Sequence, residues 1–237
     1  MSLLSNAGVE FLLRWLHFLA GITWIGLLYY FNFVQGPFFA ETDASTKSSA
    51  TQKLVPRALW WFRWGAMLTF LSGAMIIAKR IGESPAGAGA WSSPWAAAIL
   101  TGALFGTLMF LNVWLVIWPK QKIVIASAVA AATGGQANPA AAAAGRRAFL
   151  VSRTNVVFSI PMLFFMGAAT HMPPNPITHL TAYWVGVLVV AALIELNALT
   201  ATTGATTKPI EKIPGVITTG FVVWAVVYAL VQWRLTA

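Results

Sequence analysis

The sequence contains no cysteine, and this absence removes several kinds of site at once. Disulfides, thiolate metal sites and iron–sulfur clusters all need cysteine side chains. A covalently attached c-type haem needs a Cys-x-x-Cys-His motif, so it is excluded as well. Any cofactor must therefore be held by histidine, methionine, carboxylate or backbone groups.

Charged side chains are also scarce. Only 9% of the 237 residues are charged and 58% are hydrophobic, with a mean hydropathy of +0.73. This balance is typical of a polytopic membrane protein and not of a soluble or disordered chain. The net charge of +9 does not indicate nucleic-acid binding, because the basic residues are spread through connections between apolar segments. We predict a single transmembrane domain, residues 1–237, in contact with the lipid bilayer.

Six apolar stretches are long enough to cross a hydrocarbon core, which takes about 20 helical residues. They are residues 10–34, 59–79, 94–118, 149–170, 180–201 and 215–235. Residues 35–58 are a polar linker, and residues 80–93 form a Gly/Pro/Ser loop. The long connection 119–148 reads as a short helix, a Gly-Gly break and an alanine-rich run. The predicted fold class is an all-α integral membrane bundle of about six helices.

The distribution of basic residues predicts the orientation of the bundle. Most of them fall at the first, third and fifth connections: Lys47, Lys53, Arg57, Arg63, Lys120, Lys122, Arg146, Arg147, Arg153, Lys208 and Lys212. The other side has Arg14, Lys79, Arg80 and Arg234. Because cytoplasmic loops carry an excess of Lys and Arg, we expect the odd connections in the cytoplasm and both termini on the periplasmic side.

The first span carries ionisable groups at membrane depth, where they usually face protein, a cofactor or a water-filled path. Arg14, His17, Gly21 and Trp24 share one helix face. His17 and His171, on different helices at similar depth, are candidate metal ligands that could hold a haem b between them. The alternative interpretation is that His17 only hydrogen-bonds a neighbouring helix and His171 is an interfacial residue. Copper(I) bound by Met162, Met166, His171 and Met172 is the less favoured metal site.

A second set of polar residues lies toward the predicted cytoplasmic side. Arg63 is in the second span, Arg153 and Asn155 open the fourth, and Glu195 is deep in the fifth. One interpretation is structural, with Arg63 or Arg153 pairing with Glu195. The other is a pocket for an anion or heterocycle, using Arg for charge and neighbouring Trp side chains for stacking. Phosphate loops, dinucleotide-binding glycine motifs and nucleophile triads are missing from the sequence.

Three segments resemble the N-terminal membrane domain of the bacterial membrane-bound urate oxidase (urate hydroxylase) family. They are RWLHFLAGITWIGLLYYF at 14–31, LWWFRWGAMLTFLSG at 59–73 and SRTNVVFSIPMLFFMGAATH at 152–171. The resemblance implies a bacterial inner-membrane oxidoreductase that passes electrons to a cytochrome c. In that family a cytochrome c domain follows the membrane domain, and here that partner would be separate. An anionic purine would need cationic and stacking groups such as Arg14, Trp15 and Trp24 near the haem.

Two further functions stay open from the sequence. The chain could be a non-enzymatic subunit of a homo-oligomer or of a larger respiratory or oxygenase complex, in which Arg14 and His17 only pair with neighbours. Gly65, Gly73 and the Gly102/Gly106 pair indicate the close helix contacts that such an assembly uses. The chain could also be a copper or small-solute carrier, although its spans offer few polar residues for a path.

Overall fold

A computed structural model describes residues 2–174 and 179–233, and within these ranges all regular structure is helical. Six helical stretches are long and apolar enough to cross a membrane, which confirms the predicted fold class and the six spans. Arg234 and residues 175–178 of the predicted outer loop lie outside the described residues.

The helices are longer than the predicted spans at several ends. Their bounds are α1 (Asn6–Tyr29), α2 (Gly36–Glu41), α3 (Ala44–Lys53), α4 (Val55–Gly82), α5 (Pro94–Leu111), α6 (Trp118–Ala132), α7 (Ala141–His171), α8 (Leu180–Thr200), α9 (Lys208–Glu211) and α10 (Ile213–Trp233). Two π-helical segments, Tyr30–Gln35 and Asn112–Ile117, join α1 to α2 and α5 to α6 without a break. The connection 119–148 is therefore mostly helical, with its break at residues 133–140 and the alanine run at the start of α7.

Proline explains where the two π-helical segments occur. Each segment begins seven residues before a proline, Pro37 or Pro119, and ends two residues before it. A proline has no N–H to give to the carbonyl four residues earlier, and its ring clashes with that carbonyl. The helix instead forms a wider turn, in which the amides of Gly36 and Trp118 donate to the carbonyl groups five residues earlier, those of Phe31 and Val113.

α7 is the central helix of the bundle. In its membrane-spanning window 67% of the residues are buried, against 17% for the first span, so the other helices surround it. Tyr29 and Asn32 of the first span hydrogen-bond α7, and Asn112 of the third span does so from another side. On the side facing α10, Gly220 packs against the Val157 carbonyl and Ile160.

Glycines allow the helices to approach this closely. A Cβ added at Gly102 would lie 2.8 Å from Met166 Cγ and 3.1 Å from the Met162 carbonyl oxygen. Gly65 packs in the same way against the backbone of Trp24 on α1. The Gly102/Gly106 pair thus serves a contact inside this chain, between α5 and α7.

We name the two ends of the bundle by charge. The basic end carries the connections at residues 42–54, 133–140 and 201–212, together with most of the lysines and arginines. The opposite end carries the start of α1 and the loop between α4 and α5. Which end faces the cytoplasm stays a prediction from the positive-inside bias.

The absence of cysteine allows a direct test of this orientation. We expect Ser92→Cys, exposed at the opposite end, to react with a membrane-impermeant maleimide in spheroplasts. Ser49→Cys, exposed at the basic end, should react only after lysis. The unmodified protein measures the background, and the reverse labelling pattern would contradict the predicted orientation.

Replacing Gly102 by alanine tests the α5–α7 contact. Because the added Cβ meets backbone atoms of α7, we expect the free energy of unfolding in detergent to fall by about 1–3 kcal/mol. Gly26→Ala is the matched control, since nothing lies within 4 Å of a Cβ at that position. An equal effect of the two substitutions would show that the contact does not limit stability.

Candidate functional site

His17 lies in the seam between α1 and α4, where its ring is oriented by Ser72. His17 Nδ1 is 3.1 Å from Ser72 Oγ, and Ser72 Oγ donates its own proton to the Leu68 carbonyl at 2.6 Å. The Nδ1–H of His17 is then the donor to Ser72, which leaves the lone pair on Nε2. Gly73 makes room for the ring, since a Cβ there would lie 2.9 Å from His17 Cε1.

His171 lies at nearly the same depth as His17. Tyr29 OH is 2.9 Å from Ser159 Oγ, and Asn32 Nδ2 donates to Ser152 Oγ at 2.8 Å, so α1 and α7 are antiparallel. His17 is twelve residues before Tyr29, and His171 is twelve residues after Ser159. Equal numbers of helical residues give equal rise, so the two histidines share a level. No contact joins the two rings within the described residues; His171 is exposed at the end of α7.

The other candidates on α1 differ in their surroundings. Arg14 is half-buried and forms an ion pair with Glu10 at 2.5 Å, one turn earlier on the same helix. Trp15 is 54% exposed and points away from the bundle. Trp24 is buried in the core two turns from His17, and its Nε1 has no hydrogen-bond partner among the described residues. Of this set, only His17 has a ring nitrogen whose lone pair can bind a metal, because the indole N–H of Trp24 is a donor only.

A pocket that sequence analysis missed opens at the opposite end, beyond His17. It has a volume of about 520 Å³, and its lining includes Glu10, Arg80, Glu83 and Trp95. The Arg80 guanidinium lies 4.5 Å from the Trp95 ring centroid. Glu10 is seven residues before His17 and Arg80 is seven residues after Gly73, so the pocket is two turns beyond His17 along both helices. Glu10 and Glu83 are each paired with a cation of their own helix, Arg14 and Lys79, so the stacked Arg80–Trp95 pair can offer charge and a flat surface to a planar anion.

Toward the basic end, the bundle interior holds a hydrogen-bonded polar centre. Asn112 Nδ2 donates to Asn155 Oδ1 at 2.9 Å and to Glu195 Oε2 at 3.0 Å, linking the third span, α7 and α8. Asn155 Nδ2 in turn donates to the Met109 carbonyl at 3.1 Å. Asn112 is thus the residue that connects the two predicted candidates, Asn155 and Glu195.

The predicted ion pair of Glu195 with Arg63 or Arg153 is wrong for the described residues, in which neither arginine forms a salt bridge. Arg153 and Asn155 are two residues apart on a helix, so their side chains point about 200° apart. Asn155 faces α5 and Glu195, whereas Arg153 shares its face with Val157, which packs on α10.

The two arginines instead lie over aromatic rings. Arg63 is 4.1 Å from the Trp118 ring centroid and 5.8 Å from that of Trp114. Arg153 is 5.0 Å from the Phe149 ring centroid and only 5% exposed. Its Nε and Nη1 atoms have no hydrogen-bond partner within the described ranges.

The methionines of the predicted copper set lie in two different places in the structure. Met162 and Met166 pack against Gly102 and Gly106, as core methionines commonly do. Met172 is 51% exposed at the end of α7. Among the described residues there is no group of three His, Asp or Glu side chains close enough to hold a metal ion.

Removing Asn155 tests the polar centre. Asn155→Ala leaves the Asn112 amide with one side-chain acceptor fewer in an apolar interior, so we expect the free energy of unfolding to fall by about 1–3 kcal/mol. Thr107→Ala is the control, because that hydroxyl donates only to the Ala103 carbonyl of its own helix. Equal losses in the two variants would contradict a special role for the centre.

Comparison with known proteins identifies a family. The family described as urate oxidase N-terminal matches residues 87–231, which run from just before α5 to near the end of α10 and include the segment 152–171. His17 precedes the matched range. The search of curated proteins and the search of solved structures gave no match. Since the family match covers more than half of the chain and the six spans agree with a membrane domain, the chain belongs to the urate oxidase N-terminal family.

Proposed function

We propose that this urate-oxidase-like membrane protein is an oxidoreductase that binds haem b through His17, with His171 as the second ligand. The observation that carries the proposal is the hydrogen bond between His17 Nδ1 and Ser72 Oγ, which places the ring proton on Nδ1 and the lone pair on Nε2. Metal-bound histidines usually donate their other ring N–H to a neighbouring group, and the Nδ1–H contact to Ser72 is of this kind.

The residues around the two histidines suit such a group. The Ser72 hydroxyl fixes the orientation and the tautomer of the His17 ring, because its own proton is held by the Leu68 carbonyl. His171 has no competing hydrogen bond among the described residues and lies at the level of His17. When bound, a haem supplies one-electron chemistry that no side chain of this cysteine-free sequence provides.

The pocket lined by Arg80 and Trp95 suits the substrate. Urate and related purines are planar and anionic, and the guanidinium stacked on Trp95 offers matching charge and shape. Its place two turns beyond His17 keeps the substrate near the same seam. The electrons then pass to a cytochrome c outside these 237 residues, since a sequence without cysteine cannot hold haem c covalently.

The test is a reduced-minus-oxidised absorption spectrum of the detergent-purified protein, with a pyridine haemochrome assay. We expect a stoichiometric b-type signal that His17→Ala abolishes and His171→Ala abolishes or changes in band position. Ser72→Ala should retain haem but shift its reduction potential, because the ring loses its hydrogen-bond partner.

His179→Ala is the matched control, since His179 is the third histidine and is exposed at the start of α8. It should leave the spectrum unchanged. Haem retained at full occupancy in His17→Ala would refute the ligand assignment. A colourless, metal-free wild-type protein would refute the redox function and favour the accessory-subunit role.

A further inference from the structure

Three arginines of α7 lie near the basic end, and only two of them have partners. Arg147 donates to the carbonyl groups of Ala198, Thr200 and Ala201 at the end of α8. Arg146 donates to the Thr202 carbonyl and to the Glu211 carboxylate. Arg153 is the most deeply placed of the three and makes no hydrogen bond or salt bridge within the described residues.

Burial makes this lack of a partner significant. Arg153 is 5% exposed, and its guanidinium stays charged at any ordinary pH. A buried charge normally has a partner of opposite sign, because its desolvation is otherwise uncompensated. Arg153 Cζ is 5.0 Å from the centroid of the Phe149 ring, and Arg146 Cζ is 5.6 Å from the same centroid. The ring therefore brings a second positive charge close to Arg153.

The guanidinium of Arg153 lies level with the N-terminus of α10. Gly220 of α10 packs on Val157 of α7, and both helices run away from the basic end. The guanidinium of Arg153 lies over the ring of Phe149, which is eight residues before Val157 on α7. Lys212 is also eight residues before the other partner of that contact, Gly220, so Phe149 and Lys212 lie at a similar height in the bundle. Lys212 immediately precedes α10, whose first helical hydrogen bond runs from Val216 to the Lys212 carbonyl. The amides of Ile213 and Gly215 therefore have no intrahelical acceptor, and Pro214 between them has no N–H.

The local charge is strongly positive. Arg146, Arg153, Lys208 and Lys212 lie at this corner with Glu211 as the nearby acid. The hydrogen bond from Arg146 lowers the pKa of Glu211 below its ordinary value, and Thr207 Oγ1 also donates to this carboxylate, at 3.2 Å. The Glu211 carboxylate is thus paired with Arg146, so it does not neutralise the charge of Arg153.

We propose that Arg153 and the N-terminus of α10 form a binding site for a phosphate group, carried by an anionic lipid at the basic end of the bundle. A guanidinium fork matches phosphate oxygens, and free amides at a helix N-terminus add donors and a favourable dipole. Basic pockets between membrane helices near the headgroup region suit anionic lipids. A soluble phosphate would use the same chemistry, and the experiment separates the two sources.

The test compares the full chain with its Arg153→Met variant by thermal unfolding in detergent. In delipidated protein the variant should unfold at the same temperature or higher, because it removes an uncompensated buried charge. Phosphatidylglycerol at about 100 times its dissociation constant should raise the midpoint of the wild type by roughly 5–10 °C, and that of the variant by much less. With phosphatidylglycerol present, the wild type should then have the higher unfolding midpoint of the two proteins.

Controls separate the sources and the possible artefacts. Diacylglycerol with the same acyl chains should give no shift, since it lacks phosphate. A shift given by phosphatidylglycerol but not by inorganic phosphate assigns the lipid, whereas an equal shift with inorganic phosphate assigns a soluble ligand. Arg147→Met should lower the midpoint under all conditions yet keep the lipid-induced shift, because that arginine is bound to backbone carbonyls.

A second measurement covers the case in which Arg153→Met does not fold. Native mass spectrometry of Arg153→Lys, which keeps the charge but loses the fork, should show fewer retained phosphatidylglycerol molecules than the wild type. The proposal is overturned if the midpoint shift persists undiminished in Arg153→Met, if Arg153→Lys retains as much lipid as the wild type, or if neither phosphate source gives a shift. Haem binding at His17 is unaffected by any of these results.

Discussion

The bundle depends on the need to satisfy polar side chains of α7 inside an apolar interior. An unpaired amide or hydroxyl in such surroundings costs on the order of 1–3 kcal/mol, so each one constrains a neighbouring helix. Ser152 and Ser159 fix the first span through Asn32 and Tyr29, and Asn155 fixes the third span through Asn112. α7 thereby sets the positions of the helices around it.

Proline and glycine make these contacts geometrically possible. Asn32 and Asn112 both lie in π-helical segments that precede a proline, so the widened turns occur where each span must reach α7. π-helical turns are often found at functional sites, because they redirect side chains that a regular helix would place elsewhere. At Gly102 the helices come close enough for Met162 and Met166 to fill the space between them.

The six spans could be predicted because hydropathy and length are summed over many residues. The side-chain pairing could not, because it depends on how each helix is rotated about its own axis. Arg153 and Asn155 are close in sequence, yet α7 turns one toward α10 and the other toward Glu195. The role of Asn112 could have been predicted, because an isolated amide in an apolar span needs a hydrogen-bond partner on a neighbouring helix. The Arg80–Trp95 pair carried none, because it joins a helix end to a residue across a loop.

The two ends of the bundle suit different chemistry, and distance keeps them apart. Arg153 and His171 are eighteen residues apart on α7, which corresponds to about 27 Å of helix. An anion held at Arg153 therefore lies far from the level of His17 and His171. The proposed oxidation of an anionic substrate near His17 would need its own cationic group, and Arg80 lines an open pocket on that side. Arg14, which the sequence favoured for that role, is paired with Glu10, whereas Arg80 forms no salt bridge among the described residues and lies over the Trp95 ring.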